Sequence, residues 1–178
     1  DSVGVPLSPE FQVAEYTTNS QVNPAVACAP GGDFVVAWSG YGPSGKGDEV
    51  FARHFTPGTV PTSPQLLLRT LPTANVWPIE FIDRQPLVAR GQDGSFLVVW
   101  EDRLKKSVGT GEFDIVGQFL ADDGSRQLGT NFVVTTYPNA LNWDPAVSSS
   151  GDGFVVAWTS GDSNYTETNT QDGSGAGV

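Results

Sequence analysis

The sequence predicts an all-β protein, and three observations lead to that prediction. Short runs of β-branched and aromatic residues alternate with turn residues along the whole chain. The 21 glycines and 13 prolines supply turns at close intervals. No window of useful length shows a 3.6-residue apolar period with capping residues at its ends, so no helix is predicted.

A repeat of about sixty residues narrows the fold class. It occurs as NPAVACAPGGDFVVAW (23–38), QPLVARGQDGSFLVVW (85–100) and DPAVSSSGDGFVVAW (144–158). Each copy has a polar residue, a proline, a short apolar run, a Gly/Asp turn and then Phe-Val/Leu-Val-x-Trp. Length, order and residue types agree in all three copies, so we expect three equivalent structural units.

Each full copy predicts four antiparallel strands, here called first, second, third and outer. The first strand begins at the proline, where no ladder donor is lost. The second is the nearly apolar strand that ends in Trp, and we expect it to be covered on both faces. EVFARHF (49–55) and DIVGQFL (114–120) predict third strands. Four-strand units in series are typical of β-propeller blades. A β-sandwich is the alternative, but its strands have no reason to repeat in fours.

Counting strands predicts about two and a half blades. The order is an outer strand at 9–18, a blade at 23–72, a second blade at 85–138 and a half blade at 144–178. Because a propeller ring typically takes four or more blades, we expect another polypeptide, such as a downstream part of the same precursor, or further copies of this chain to complete it. QDGSGAGV (171–178) is then a loop that leads into a third strand rather than a loose tail.

The motifs resemble a repeat that is widespread in large bacterial secreted and surface proteins, with the pattern NPAVA…FVVVW…QDGSGxGI[FY]xQR[FY]. The matching residues are Phe11–Val13, Asn23–Ala27, Phe34–Trp38, Gly117–Phe119 and Gln171–Gly175. The resemblance covers nearly the whole chain. It implies a propeller-like repeat in an extracellular or cell-surface protein and no particular activity. The first two copies lack the QDGSG loop, so a role of that loop would not extend to them.

Charge and composition exclude several classes. The 20 acidic and 9 basic residues give a net charge of −11, which argues against nucleic acid or an anionic membrane as the partner. No apolar stretch approaches the ~18 residues of a membrane span. A single cysteine, Cys28, excludes an internal disulfide, and we expect it to be buried as a small apolar residue.

The long connections predict where function lies. The second–third loops (39–48, 101–113, 159–177) and the outer–first connections (70–84, 136–143) would emerge on one face of a propeller. The predicted ligand-binding residues on it are Trp77, Arg84, Trp143 and Asp144. Exposed indole beside carboxylates suits sugar stacking with hydrogen bonding. The alternative is that both tryptophans fill junctions between blades.

The third long loop suggests a metal site. Its oxygen ligands are Asp162, Asn164, Glu167 and Asp172, on a flexible, turning backbone that suits calcium. Their spacing differs from the EF-hand pattern. Two carboxylate pairs, Glu101/Asp102 and Glu80/Asp83, are candidates for glycoside hydrolysis if their separation is right.

Three functions remain open from the sequence. The first is an exported propeller module that binds glycan or protein through the long-loop face. The second is the N-terminal part of a carbohydrate-active propeller enzyme, and the third is a structural repeat of a surface or filament protein.

Overall fold

The computed structural model describes residues 3–43, 48–69, 85–107, 110–125, 127–136 and 140–162. These residues form ten strands and no helix, which confirms the all-β prediction. The strands are β1 (Gln21–Cys28), β2 (Phe34–Tyr41), β3 (Asp48–Phe55), β4 (Leu66–Arg69), β5 (Leu87–Arg90), β6 (Phe96–Ser107), β7 (Thr110–Leu120), β8 (Gln127–Val133), β9 (Ala140–Ser150) and β10 (Gly153–Asp162).

The first sheet is an antiparallel meander in the order β1-β2-β3-β4. The register of β2 and β3 runs without interruption from Phe34 opposite Phe55 to Tyr41 opposite Asp48. These strands contain the predicted first, second, third and outer strands of the first repeat, in chain order.

The second sheet has the same plan. β5, β6 and β7 are neighbours, and β8 pairs with the far side of β7. β9 and β10 pair with each other as the third-repeat hairpin, and a single parallel bridge between Phe113 and Leu141 joins β9 to β7. The described residues thus contain a four-strand sheet and a six-strand sheet. The latter consists of the four strands of the second repeat, here called the second sheet, and the third-repeat hairpin.

Successive sheets pack face to face through apolar clusters. One cluster lies between the first and second sheets and is built mainly from Val35, Ala37, Val50, Ala52, Leu68, Phe96, Val98, Trp100, Val116 and Leu120. A second lies between the second sheet and the third-repeat hairpin and contains Leu97, Val99, Ile115, Phe119, Val147, Phe154, Val156 and Trp158. The third lies on the other side of the first sheet and contains Val13, Ala14, Phe34, Val36, Trp38, Phe51 and Phe55.

The packing has a constant direction. Side chains alternate along a strand, so the repeated Phe, Val and Trp share one face of each second strand and the residues between them share the other. The Phe-Val-Trp face of β6 packs on the first sheet, and that of β10 packs on the second sheet. The intervening residues of β2 and β6, such as Val35 and Leu97, face the next repeat. In β10 the intervening residue Val155 is 57% exposed. The prediction that second strands are covered on both faces is confirmed for β2 and β6 and wrong for β10.

Residues 9–18, where an outer strand is predicted, form no ladder with the described strands. A strand needs a paired neighbour, and the described residues place none beside this segment. Residues 11–15, here called the N-terminal segment, instead lie on the Phe-Val-Trp face of the first sheet, where Ala14 is buried. Arg53 Nη1 donates to the carbonyl of Val13 at 2.9 Å, and Arg53 Nη2 pairs with Glu15 at 2.7 Å.

The polar residue before each repeated proline has a left-handed backbone. The φ angles are 53° at Asn23, 34° at Gln85 and 49° at Asp144. In β1 the register shifts there, so that Asn23 and Pro24 lie opposite Trp38 alone, and β9 shifts at the equivalent position. Each shift is a β-bulge, a place where proline is tolerated in a sheet.

The expected burial of Cys28 is wrong, since this residue is exposed. It is the last residue of β1, an edge strand whose side chains alternate between half-buried and exposed, and it falls on the exposed side. The small apolar neighbours in the sequence do not reveal that side.

Candidate functional site

Two of the predicted ligand-binding residues, Trp143 and Asp144, are neighbours in β9. Trp143 lies opposite Thr159 and is partly exposed, and its six-membered ring lies over Gly161 of β10. A Cβ built on Gly161 would come within 2.6 Å of the indole Cη2 atom. The ring therefore keeps its position because position 161 has no side chain.

The backbone of Asp144 is held by the second sheet. Its N–H donates to Glu101 Oε1 at 2.8 Å, and the side chain of Asp144 is exposed. Glu101 is only 5% exposed and belongs to β6, on the face that meets the third-repeat hairpin. A hydrogen bond to a carboxylate is stronger than one between neutral groups, so this contact fixes the bulge firmly.

A second contact secures the same end of β9. The side chain of Asn142 is buried, and its Nδ2 donates to the carbonyl of Phe113 in β7 at 2.8 Å. Leu141, the adjacent residue, forms the parallel bridge to Phe113. Trp143 and Asp144 therefore lie at a strand end that is tied to the second sheet before the bulge and at the bulge itself.

The carboxylate pair Glu101/Asp102 does not suit the role that the sequence allowed. The two residues are consecutive in β6, so their side chains point to opposite faces of the sheet. Both are buried, and Asp102 lies opposite Asp114 of β7, whose Oδ1 accepts a hydrogen bond from Thr135 Oγ1 at 2.8 Å. Glycoside hydrolysis needs two carboxyl groups on either side of one bond, and these two face different sheets.

Several predicted residues lie outside the described part of the chain. They are Trp77, Arg84, Glu80, Asp83, Asn164, Glu167 and Asp172. Asp162 is the last residue of β10. Among residues that the structure describes, no group of three or more His, Cys, Asp or Glu side chains could hold a metal ion. The calcium site therefore stays a prediction.

A groove that the sequence did not predict lies between the second sheet and the third-repeat hairpin. Its volume is about 530 Å³, and its lining includes Leu97, Phe119, Phe132, Phe154 and Val156. The ring of Phe119 stacks on Phe132 with centroids 5.3 Å apart and meets Phe154 edge-on at 5.7 Å. Phe119 and Phe154 occupy repeated positions in the sequence, but the repeat alone does not show which of their faces remains uncovered.

No protein family matches the chain. No curated protein matches it either. Among solved structures, it is similar to an endo-arabinase from Bacteroides thetaiotaomicron, with 12% identity and a TM-score of 0.49, over 87% of this chain and 56% of that one. It is also similar to a candidate glycoside hydrolase from Parabacteroides distasonis, with 14% identity and a TM-score of 0.38, over 80% and 44%. The chain spans about half the length of these two proteins. The described residues contain no helix that could span a membrane.

Proposed function

We propose that this chain is part of an exported β-propeller and binds a glycan, with Trp143 as the stacking surface and Asp144 as the neighbouring hydrogen-bonding group. One observation carries the proposal. A partly exposed indole is held over Gly161, and the next residue in β9, Asp144, has an exposed side chain on a backbone that is anchored by buried Glu101. The indole and the backbone of Asp144 are thus positioned before any ligand arrives, which lowers the entropic cost of binding.

The packing of the sheets supports the propeller part of the proposal. Two successive interfaces use the same Phe-Val-Trp face in the same direction. A fixed relation between successive units generates a ring or a solenoid, and antiparallel four-strand sheets packed face to face are the units of a ring. The ring would be closed by polypeptide beyond the residues described.

The chemistry of the two exposed groups supports a sugar as the ligand. The C–H face of a pyranose packs on an indole, and its hydroxyl groups donate to a carboxylate. The net charge of −11 opposes an anionic ligand, so a neutral glycan fits best. The extracellular location belongs to the same proposal and is supported by the resemblance to secreted bacterial repeats.

Calcium is a further part of the proposal. Asp162 ends β10 and would offer the first oxygen ligand, with Asn164, Glu167 and Asp172 from the following loop. The bound ion would order the loop that leaves the same strand end as Gly161.

Glycan-array binding by the full chain tests the proposal, with Trp143→Ala as the variant and Val60→Ala as the matched control. Val60 is also exposed, but it lies in the β3–β4 connection of the first sheet. We expect Trp143→Ala to weaken binding of the best glycan at least tenfold, about 1.4 kcal/mol. Trp143→Phe should keep part of the affinity. An array without any bound glycan, or equal binding by Trp143→Ala and the control, would refute the proposal.

A further inference from the structure

We propose that the groove between the second sheet and the third-repeat hairpin is the binding site of a β-hairpin that supplies the third and outer strands of the third repeat. The hairpin is not among the residues that the structure describes. This inference rests on the blade architecture of the proposed function and is independent of the glycan site.

At the interface between the first and second sheets, the equivalent site is filled by a turn. Val35 of β2 lies opposite His54 of β3, and both are covered by the turn between β7 and β8. Gly124 of that turn fits so closely that an added Cβ would lie 2.7 Å from His54 Cβ and 2.8 Å from Val35 Cγ2. A third–outer turn of one repeat thus rests on the second and third strands of the repeat before it.

The groove contains the corresponding pair of residues without such a turn. Leu97 lies opposite Phe119 in the second sheet, in the same register as Val35 opposite His54 in the first. Both Leu97 and Phe119 line the groove. The third-repeat hairpin covers one side of them through Phe154 and Val156, and the described residues supply no third–outer turn to cover the other.

The edge of β10 offers the backbone for the same hairpin. The equivalent strands β2 and β6 each have a neighbour on both sides, whereas β10 pairs with β9 alone among the described strands. Its outer edge is ten residues long. A long unpaired edge beside an apolar groove accepts an added strand, because the ladder gives affinity and the groove receives its side chains.

The β7–β8 turn that fills the equivalent site indicates which features the bound hairpin needs. Its third strand pairs antiparallel with β10, and its turn carries a glycine with positive φ over Leu97 and Phe119, as Gly124 does over Val35 and His54. A hairpin with the β7–β8 pattern fits these requirements.

A synthetic peptide of residues 113–134 is the probe, added to the full chain and followed by hydrogen–deuterium exchange. We expect saturable binding that slows exchange of the β10 amides. A Gly124→Leu peptide should bind at least tenfold more weakly. A Gly129→Asn peptide is the matched control, since Gly129 also has positive φ but nothing lies within 4 Å of an added Cβ there. Equal affinities of the two altered peptides would overturn the proposed binding site.

Variants of the full chain separate this site from others. Phe132→Ala, which opens the groove, should weaken the peptide at least tenfold, whereas Val60→Ala should not. Protection of β7 and β8 instead of β10 would mean that the peptide replaces the chain's own hairpin, and the proposal would be wrong. Concentration-dependent dimers abolished by Phe132→Ala would place a second copy in the groove and equally overturn it. Trp143→Ala should leave peptide affinity unchanged, so failure of the glycan proposal would be recognised separately.

Discussion

The two interfaces between successive repeats differ in completeness although they use the same residues. Between the first and second sheets, Trp100 and Phe96 are fully buried against β2, β3 and β4. Between the second sheet and the third-repeat hairpin, the equivalents Trp158 and Phe154 are only partly buried and a groove remains beside them. The Phe-Val-Trp motif thus fixes the direction of packing, while the third and outer strands determine how fully the interface excludes water.

The largest expected effect contrasts the two equivalent tryptophans. Trp100→Ala removes a fully buried indole and should lower the free energy of unfolding by about 3–5 kcal/mol. Trp158→Ala should cost clearly less, because part of its surface is already in water. Urea unfolding of both variants measures the difference, and equal losses would show that the second interface is as complete as the first.

The next effect isolates the close approach of the β7–β8 turn to the first sheet. Gly124→Ala and Gly129→Ala both place a side chain at positive φ, which costs about 1–2 kcal/mol. Only Gly124 has His54 and Val35 within 3 Å of the added Cβ, so Gly124→Ala should cost about 1–3 kcal/mol more. Thermal and urea unfolding measure both. Similar losses in the free energy of unfolding would mean that the turn accommodates a side chain at position 124 and that the contact with His54 and Val35 does not require glycine there.

A smaller effect tests the anchor at the incomplete interface. Glu101→Gln keeps the shape of the side chain and removes the charge that strengthens its hydrogen bond with the Asp144 N–H. We expect a loss of about 1 kcal/mol in the free energy of unfolding and a large NMR shift of the Asp144 amide. Glu10→Gln, at an exposed position in the N-terminal residues, is the control for the change in charge and should leave both unchanged. An unmoved Asp144 amide in Glu101→Gln would contradict the anchor.

The smallest expected effect concerns the N-terminal segment, which covers the first sheet where another repeat would lie. Glu15→Gln removes one exposed ion pair to Arg53 and should cost less than about 1 kcal/mol. Arg53→Gln should cost more and raise hydrogen exchange at residues 11–15, since Arg53 also donates to the carbonyls of Val13 and Ser63. Equal effects of the two substitutions would show that the carbonyl contacts contribute nothing.

The sequence predicted which residues form strands better than it predicted what packs against those strands. Phe-Val/Leu-Val-x-Trp marks a second strand three times because it combines β-forming residues with a preceding Gly/Asp turn. Whether the other side of that strand is covered depends on residues distant in the chain, so the exposure of Val155 could not be predicted. Residues 9–18 illustrate the same point, since β propensity is local and a ladder needs a partner.

The candidate site was predicted in part. Trp143 was found because it is a tryptophan outside the repeated position. The residues that hold Trp143 and Asp144 in place were not predicted. Glu101 lies in the second repeat and Gly161 in the third, and no local sequence pattern links either of them to Trp143. The groove was missed because the repeat does not show which faces of Phe119 and Phe154 remain uncovered.

The bulges at the first and third repeated prolines have a consequence for how such chains can vary. An extra residue in one strand reverses the alternation of side chains beyond that point. After the bulge, residues such as Ala25 and Val147 alternate so that every second side chain faces the core. Before the bulge, the alternation at residues such as Gln21 and Asn142 is independent of that pattern. Mutations and length changes on the loop side of Asn23 and Asp144 therefore leave the core register intact. The same scaffold can carry different recognition surfaces without being refolded around each of them.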